Sequence, residues 1–427
     1  MSSQPLTAVI IGAGHRSLLY ASYAKSHPEK LRIVGVAEPD EVRRQKAACL
    51  YDIPPEHRYR TAEELAQLPK IADVAINGTM DRQHVPTTLP LLQAGYHVLL
   101  EKPICPTRDE LLALLDATIR ADRKLMIGHV LRYAPFYVEI KRRVADGQIG
   151  QIISLQTAEN VSYHHMATAF VRGKWNRRDA SNPMLLAKCC HDLDILCWMK
   201  SGVGPRSVAS FGARTLFTES RAPQGSGTRC LVDCSIEPQC PYSARKHYIE
   251  QGLWPTYAWE CLEHIENPSL QDKLQSLRTD NPYGRCVWRC DNDVADHQAV
   301  VIDFADGAVA THNMNTGTAR PCRSIHLLGT EGEIQGTLEE GRFVLRRPDA
   351  RKGHEFSHET VDLNVSGEMH GGGDLRLVQD FISVVRGEEP SISSTTIMDS
   401  VNGHLIAFAA DEAMRSGGCV SIRADRG

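Results

Sequence analysis

Ala8-Val9-Ile10-Ile11 runs without a break into Gly12-Ala13-Gly14-His15-Arg16-Ser17, and a helical pattern follows through Ala24. A short apolar run that turns at once into a helix suits a strand buried on both faces, the opening unit of a parallel sheet. Gly12 permits the tight turn, Gly14 leaves the loop bare on one side, and Ser17 takes the third, small position of a GxGxxG pattern. The rhythm then repeats. Arg32-Ile33-Val34-Gly35-Val36-Ala37 reads as a second strand, with helices expected near 40–51 and 61–68. Next come a strand at Val74-Ala75-Ile76, a helix from about His84 to Ala94 and a strand at Val98-Leu99-Leu100. A helix from Arg108 to Ala121 and a strand at Leu125-Met126-Ile127 complete the series. This alternation predicts a doubly wound parallel (Rossmann) sheet over residues 1–130.

From Arg132 the rhythm changes. A helix to Val144 precedes strands expected at Ile152 to Ala158, Val208 to Phe211, Val300 to Phe304, Val309 to Asn313 and Ser324 to Leu328. Turns such as Ala305-Asp306-Gly307 separate them in hairpin fashion. Residues 131–427 are therefore expected to form a second domain with a mixed or antiparallel open sheet, making the whole α/β plus α+β. Residues 218–295 lack periodicity and read as an insertion. The tail offers a Gly-rich loop, His370-Gly371-Gly372-Gly373-Asp374, a helix through Val385, and a last helix from Ile397 to Met414.

Two features of the first domain carry chemistry. A glycine turn between strand and helix lets backbone approach a pyrophosphate, and Glu38, closing the second strand, has the spacing of an acid that binds ribose hydroxyls. A carboxylate there repels a 2′-phosphate, so NAD is expected rather than NADP, with Arg43 and Arg44 as the opposing feature. The small, polar Asn77-Gly78-Thr79 suits a loop lying against the dinucleotide. The second feature is Glu101-Lys102-Pro103. A buried strand ending on two charges opens onto a crevice, and open α/β sheets bind ligands at that edge.

Composition narrows the partners. The net charge of -4 over 427 residues gives no reason to expect nucleic acid or an anionic membrane, and no apolar run is long enough to span a bilayer. The beginning MSSQPLTAVI lacks the pattern of a secretory signal. Thirteen cysteines, an odd number, fit reduced thiols and a cytoplasmic protein.

The motifs VIIGAGHRS, VAEPD, INGTMDRQHV and HVLLEKPICPT, with the later GHVLRYAPFY, LLAKCCHDLDIL and HLLGTEGEI, resemble the Gfo/Idh/MocA family of oxidoreductases. The resemblance spans nearly the whole chain. It implies that Lys102 of the EKP motif sits beside nicotinamide and substrate. The family's second motif, usually DxGxH, places its His at His191, but its Asp position holds Ala187. Lys102 and His191 are the expected catalytic pair, His191 accepting the proton and Lys102 polarising the hydroxyl, with the exchanged roles as the alternative. Asp194 is a candidate to orient His191. The cofactor site is expected to comprise Gly12, Gly14, His15, Arg16, Glu38, Asn77, Thr79, His84, Glu101 and Lys102. Substrate contacts are expected from Arg132, Tyr133, Tyr163, His164, Lys174, Trp175, Lys188 and Asp192, because sugar hydroxyls and ring faces call for hydrogen-bonding and aromatic groups.

Cys230, Cys234, Cys240 and Cys290 raise a structural zinc site, with buried free thiols as the alternative. For function, the first expectation is an NAD-dependent oxidoreductase acting on a hydroxyl of a sugar, glycoside or cyclic polyol. The alternative is an NAD-dependent glycosidase that oxidises, eliminates and re-reduces. A third is a sensor that binds nucleotide without turnover. The family resemblance also implies a homodimer or homotetramer.

Overall fold

The computed structural model describes residues 4–363 and 369–422. Six parallel strands, β1 (Leu6–Ile11), β2 (Leu31–Ala37), β3 (Arg58–Tyr59), β4 (Val74–Asn77), β5 (His97–Leu100) and β6 (Leu125–Ile127), lie in the order β3-β2-β1-β4-β5-β6. The central apolar runs are buried on both sides, feeding one core with Ile10, Ile76 and Leu99 and the other with Val9, Ala75 and Leu100. That is why they lack the polar alternation of a half-exposed sheet. The order reverses between β1 and β4, so the Gly12–Ser17 turn and the Asn77–Thr79 loop meet at one crevice. Their contact is close. A Cβ on Gly78 would lie 2.4 Å from Ser17 Oγ, and one on Gly12 would lie 2.9 Å from the Thr79 methyl.

The second sheet has nine strands. These are β7 (Ile152–Ser162), β8 (Pro205–Ala213), β9 (His297–Phe304), β10 (Val309–Thr318), β11 (Cys322–Gly329), β12 (Glu333–Thr337), β13 (Arg342–Pro348), β14 (Phe356–Asp362) and β15 (Cys419–Ser421). They run in the order β14-β13-β12-β11-β7-β10-β9-β8-β15, antiparallel except where β7 and β10 pair parallel. The expected strands are present and longer than periodicity alone marks. One face packs on the Met184–Met199 and Ile397–Ser416 helices, while the other leaves Phe211, Val301, Val309 and Leu328 exposed. No helix among the described residues is long and apolar enough to cross a membrane.

Two segments position the site. Between β8 and β9 the chain forms short helical turns and the Leu270–Arg278 helix around a small core of Cys230, Ala244, Tyr248, Ala258, Leu277 and Tyr283. Late in the chain, the Gly373–Val385 helix returns to the first sheet, burying Leu377, Val378 and Phe381 against Tyr20 and Tyr133.

Candidate active site

The crevice is built first by the nucleotide side. A Cβ on Gly14 would point into nearly open space, its nearest neighbour being the Gly78 carbonyl oxygen at 3.9 Å. Glu38 stands at the head of the turn, its two oxygens accepting from the amides of Ala13 at 2.6 Å and Asp40 at 2.9 Å. Carboxylate oxygens carry further lone pairs for ribose hydroxyls, so the loop fits a dinucleotide. Arg43 is paired to Glu260 and Glu263, and Arg44 to Glu41 and the carbonyl oxygens of Glu38 and Pro39.

Other residues expected against the cofactor brace the crevice from behind. Asn77 donates to Thr87 and Thr88 and accepts from Thr79, fixing the loop. His84, fully buried, spans the carbonyl oxygens of Pro103 (2.7 Å) and Thr79 (3.0 Å). Arg16 joins Glu101 at 3.0 Å to Asp374 at 2.6 Å, and Tyr20 donates to Glu101 at 2.6 Å. Burial works against the charge of Glu101, but Arg16 and Lys102 outweigh it and hold the carboxyl below its ordinary range. Glu101 is thereby paired directly by Arg16, with Lys102 acting on it only through its charge. His15 is exposed at the lip of the turn.

The Lys102 amine, at the carboxyl end of β5, donates to the main-chain oxygen of Ala187 at 3.3 Å. One turn further along the same helix stands His191, only 3 % exposed. Burial, reinforced by the Lys102 charge, drives the His191 imidazole well below its ordinary range, so it is neutral at pH 7. Its Nδ1 is buried without a partner. Two further imidazoles flank it, those of His129 and His370, each with its ring centre 5.8 Å away.

The opposite wall is aromatic. Trp175 Nε1 donates to Asp81 at 3.1 Å, and Asn182 donates to the same carboxylate at 2.6 Å, fastening the two domains. Tyr257 lies 5.7 Å from Trp175 and stacks on Trp254 at 5.9 Å. Burial raises the Tyr257 phenol, opposed by the nearby charges of Lys102 and Arg16. Trp254 donates to His164 Nδ1 at 3.0 Å and lies 4.3 Å from the His165 ring. Tyr163 packs edge-on against His164, Tyr242 and His247.

Several expected substrate contacts are committed elsewhere. Arg132 makes a two-pronged pair with Asp194 at 2.7 and 2.6 Å, both sealed from solvent, so Arg132 is structural and Asp194 does not orient His191. Tyr133 donates to Asp380 within the core. Lys188 pairs with Glu159 and Asp192 with Arg323, on the side of the helix that faces the sheet. Lys174 pairs with Glu260 at the rim.

The zinc expectation is corrected. Among the described residues, Cys230, Cys234, Cys240 and Cys290 do not converge as a ligand set; the three side chains of ligand type that do come together are Cys189, Asp192 and His312. The cation beside the thiols is Arg172, buried and donating to Cys230 Sγ at 3.4 Å. Cys290 donates instead to the Cys286 carbonyl, and Cys240 accepts the Tyr242 amide. At the other group, Arg323 already supplies the positive charge beside Asp192 and Glu159.

The sequence reading missed Asp81, Trp254, Tyr257, His129 and His370. For His370 the adjoining run of three glycines was the available signal.

Comparison with known proteins decides the family. A family model described as an oxidoreductase family with an NAD-binding Rossmann fold matches residues 6–129, and its C-terminal alpha/beta domain matches residues 141–422. The chain belongs to the Gfo/Idh/MocA oxidoreductase family. Among its Gfo/Idh/MocA relatives, the Bacillus subtilis protein YteT is 24% identical over 392 residues, 87% of each chain. Inositol 2-dehydrogenase 4 of Saccharopolyspora erythraea is 24% identical over 238 residues, 54% of this chain and 64% of that one. A levoglucosan dehydrogenase solved with NADH and L-sorbose shares the fold at a TM-score of 0.70, with 17% identity over 99% of this chain and 100% of its own.

Proposed function

We propose that this Gfo/Idh/MocA protein is an NAD-dependent oxidoreductase that removes hydride from a hydroxyl-bearing carbon of a sugar, glycoside or cyclic polyol. The observation that carries this reading is the Lys102–Ala187 contact, which brings the amine to the helix turn preceding His191. Bound NAD would supply the hydride acceptor.

A hydroxyl that becomes a carbonyl must shed its proton, and a neutral imidazole at the crevice suits that task. His191 takes the proton, and its burial keeps it unprotonated beforehand. Lys102 polarises the hydroxyl oxygen and stabilises negative charge as it develops. Trp175, Tyr257 and Trp254 offer apolar ring faces to the apolar side of a sugar. Glu38 favours NAD over NADP, and the engagement of Arg43 and Arg44 by carboxylates and carbonyls supports the same preference. The exposed apolar side chains on the open sheet face support a homodimer or homotetramer.

A redox-neutral glycosidase would employ the same pair, so one assay separates the readings. Purified protein with its co-purified nucleotide is offered sugars, polyols and aryl glycosides, while NADH absorbance and free sugar are followed together. NADH accumulation is expected; free sugar without NADH identifies the glycosidase, and binding without turnover overturns both.

A further inference from the structure

The proton that reaches His191 has no resting place there. Its Nδ1 is sealed and unpartnered, and both burial and the Lys102 charge oppose an imidazolium. A proton acceptor in that position turns over only if something takes the proton onward. Its two imidazole neighbours differ sharply. His129 is 1 % exposed and both its nitrogens lack hydrogen-bond partners, so its ring makes no direct contact with bulk water. The His370 side chain is 29 % exposed, and its Nδ1 lies 3.1 Å from Asp374 Oδ2.

The backbone fixes that arrangement. His370, Gly371 and Gly372 adopt left-handed conformations in succession, with φ of 52°, 61° and 77°. Gly373 is pressed onto the first-domain boundary, where a Cβ would lie 2.1 Å from the Val130 oxygen. Asp374 is itself held by Arg16 at 2.6 Å. A carboxylate accepting from Nδ1–H leaves the lone pair of a neutral imidazole on Nε2, the nitrogen turned away from it, and supports the charge once Nε2 is protonated. The same logic orients the histidine of a hydrolytic triad.

We propose that His370, oriented by Asp374, is the proton exit of this site: it receives on Nε2 the proton His191 has taken from substrate and passes it to solvent. The inference rests on the oxidoreductase reading and adds a residue to it. In the forward direction the substrate O–H bond breaks and an N–H bond forms on His191. That bond then breaks as Nε2–H forms on His370, directly or through one water. The proton finally leaves to water, and no electrons move in the relay. The charged and titratable groups facing His370 are Asp374 from the first turn of the following helix, Arg16 from the glycine turn, His191 and Arg323. Asp374 raises its proton affinity, while burial and both arginines lower it.

The test uses the full chain with its nucleotide and the best substrate from the panel. In His370→Ala, kcat is expected to fall at least tenfold in weakly buffering medium and to recover as imidazole buffer is raised, with the NAD Kd within twofold of wild type. Unchanged kcat would overturn the relay. So would a loss that imidazole does not restore, because that marks a structural role. Asp374→Asn should move the acid limb of the rate profile to lower pH, and Asp374→Glu should restore it. Independently of turnover, nitrogen NMR of the histidine-labelled chain should find His370 as the Nδ1–H tautomer, lost in Asp374→Asn; an Nε2–H tautomer contradicts the proposal. Failure of the oxidoreductase reading would appear instead in the wild type, as absence of turnover across the whole panel.

Discussion

The amine of Lys102 and the main-chain oxygen of Ala187 are 3.3 Å apart, and this contact joins the mouth of the nucleotide sheet to the helix that carries His191. A neutral carbonyl therefore holds the lysine from a residue whose side chain, in the family's usual motif, would be a carboxylate. The lysine's charge also acts on His191, lowering its proton affinity.

Replacing Lys102 with Met should abolish this electrostatic contribution while leaving the glycine turn untouched. We expect turnover to drop by about 10²–10⁴, the range for a preorganised charged or proton-transfer group. NAD affinity, measured by fluorescence titration, should stay within about twofold, since phosphate and ribose contacts dominate dinucleotide binding at the turn. A fully active Lys102→Met variant would remove Lys102 from the mechanism.

The pH dependence follows from the direction of the His191 shift. A base works only when unprotonated, and burial with Lys102 lowers the pH at which His191 takes up a proton. The rate should therefore hold level as pH falls through about 6.5, the ordinary histidine value, and decline only below it. Measured kcat/KM between pH 5 and 9 tests this; an acid limb centred above the ordinary value would point to a different base.

Arg132 and Asp194 form a sealed ion pair between the first-domain boundary and the Met184–Met199 helix. Removing one partner strands the other in the core. Asp194→Asn or Arg132→Met should cost about 3–5 kcal/mol of stability, read as a lower urea midpoint. If Arg132 instead bound substrate, its variant would raise KM without lowering that midpoint.

Glu38 organises the turn through the Ala13 and Asp40 amides and offers its remaining lone pairs to ribose. Glu38→Ser should weaken NAD by about ten- to a hundredfold, the worth of hydrogen bonds to a charged group. It should not create NADP binding, because Arg43 and Arg44 remain tied to their carboxylates. Calorimetric titration with both dinucleotides checks the pair of outcomes.

The divide between chain and fold is visible residue by residue. Strand–helix alternation, the Gly12–Ser17 turn and the charged end of β5 were legible because they are local. Burial on two faces makes β1 and β5 uniformly apolar, and the turn requires small residues at fixed offsets. From those alone follow the doubly wound sheet and the expectation of Lys102 at a crevice edge. Tertiary structure decided the partners. Lys102, His191 and His370 come from a strand, a helix and a tail loop, and no spacing rule links them. Arg132 and Tyr133 read as substrate groups in the sequence, but Asp194 and Asp380 engage them; the thiols near Cys230 read as metal ligands, but Cys230 accepts from Arg172. Periodicity reports which face of an element is buried; it does not report which distant side chain satisfies a polar group there, and that choice made the site.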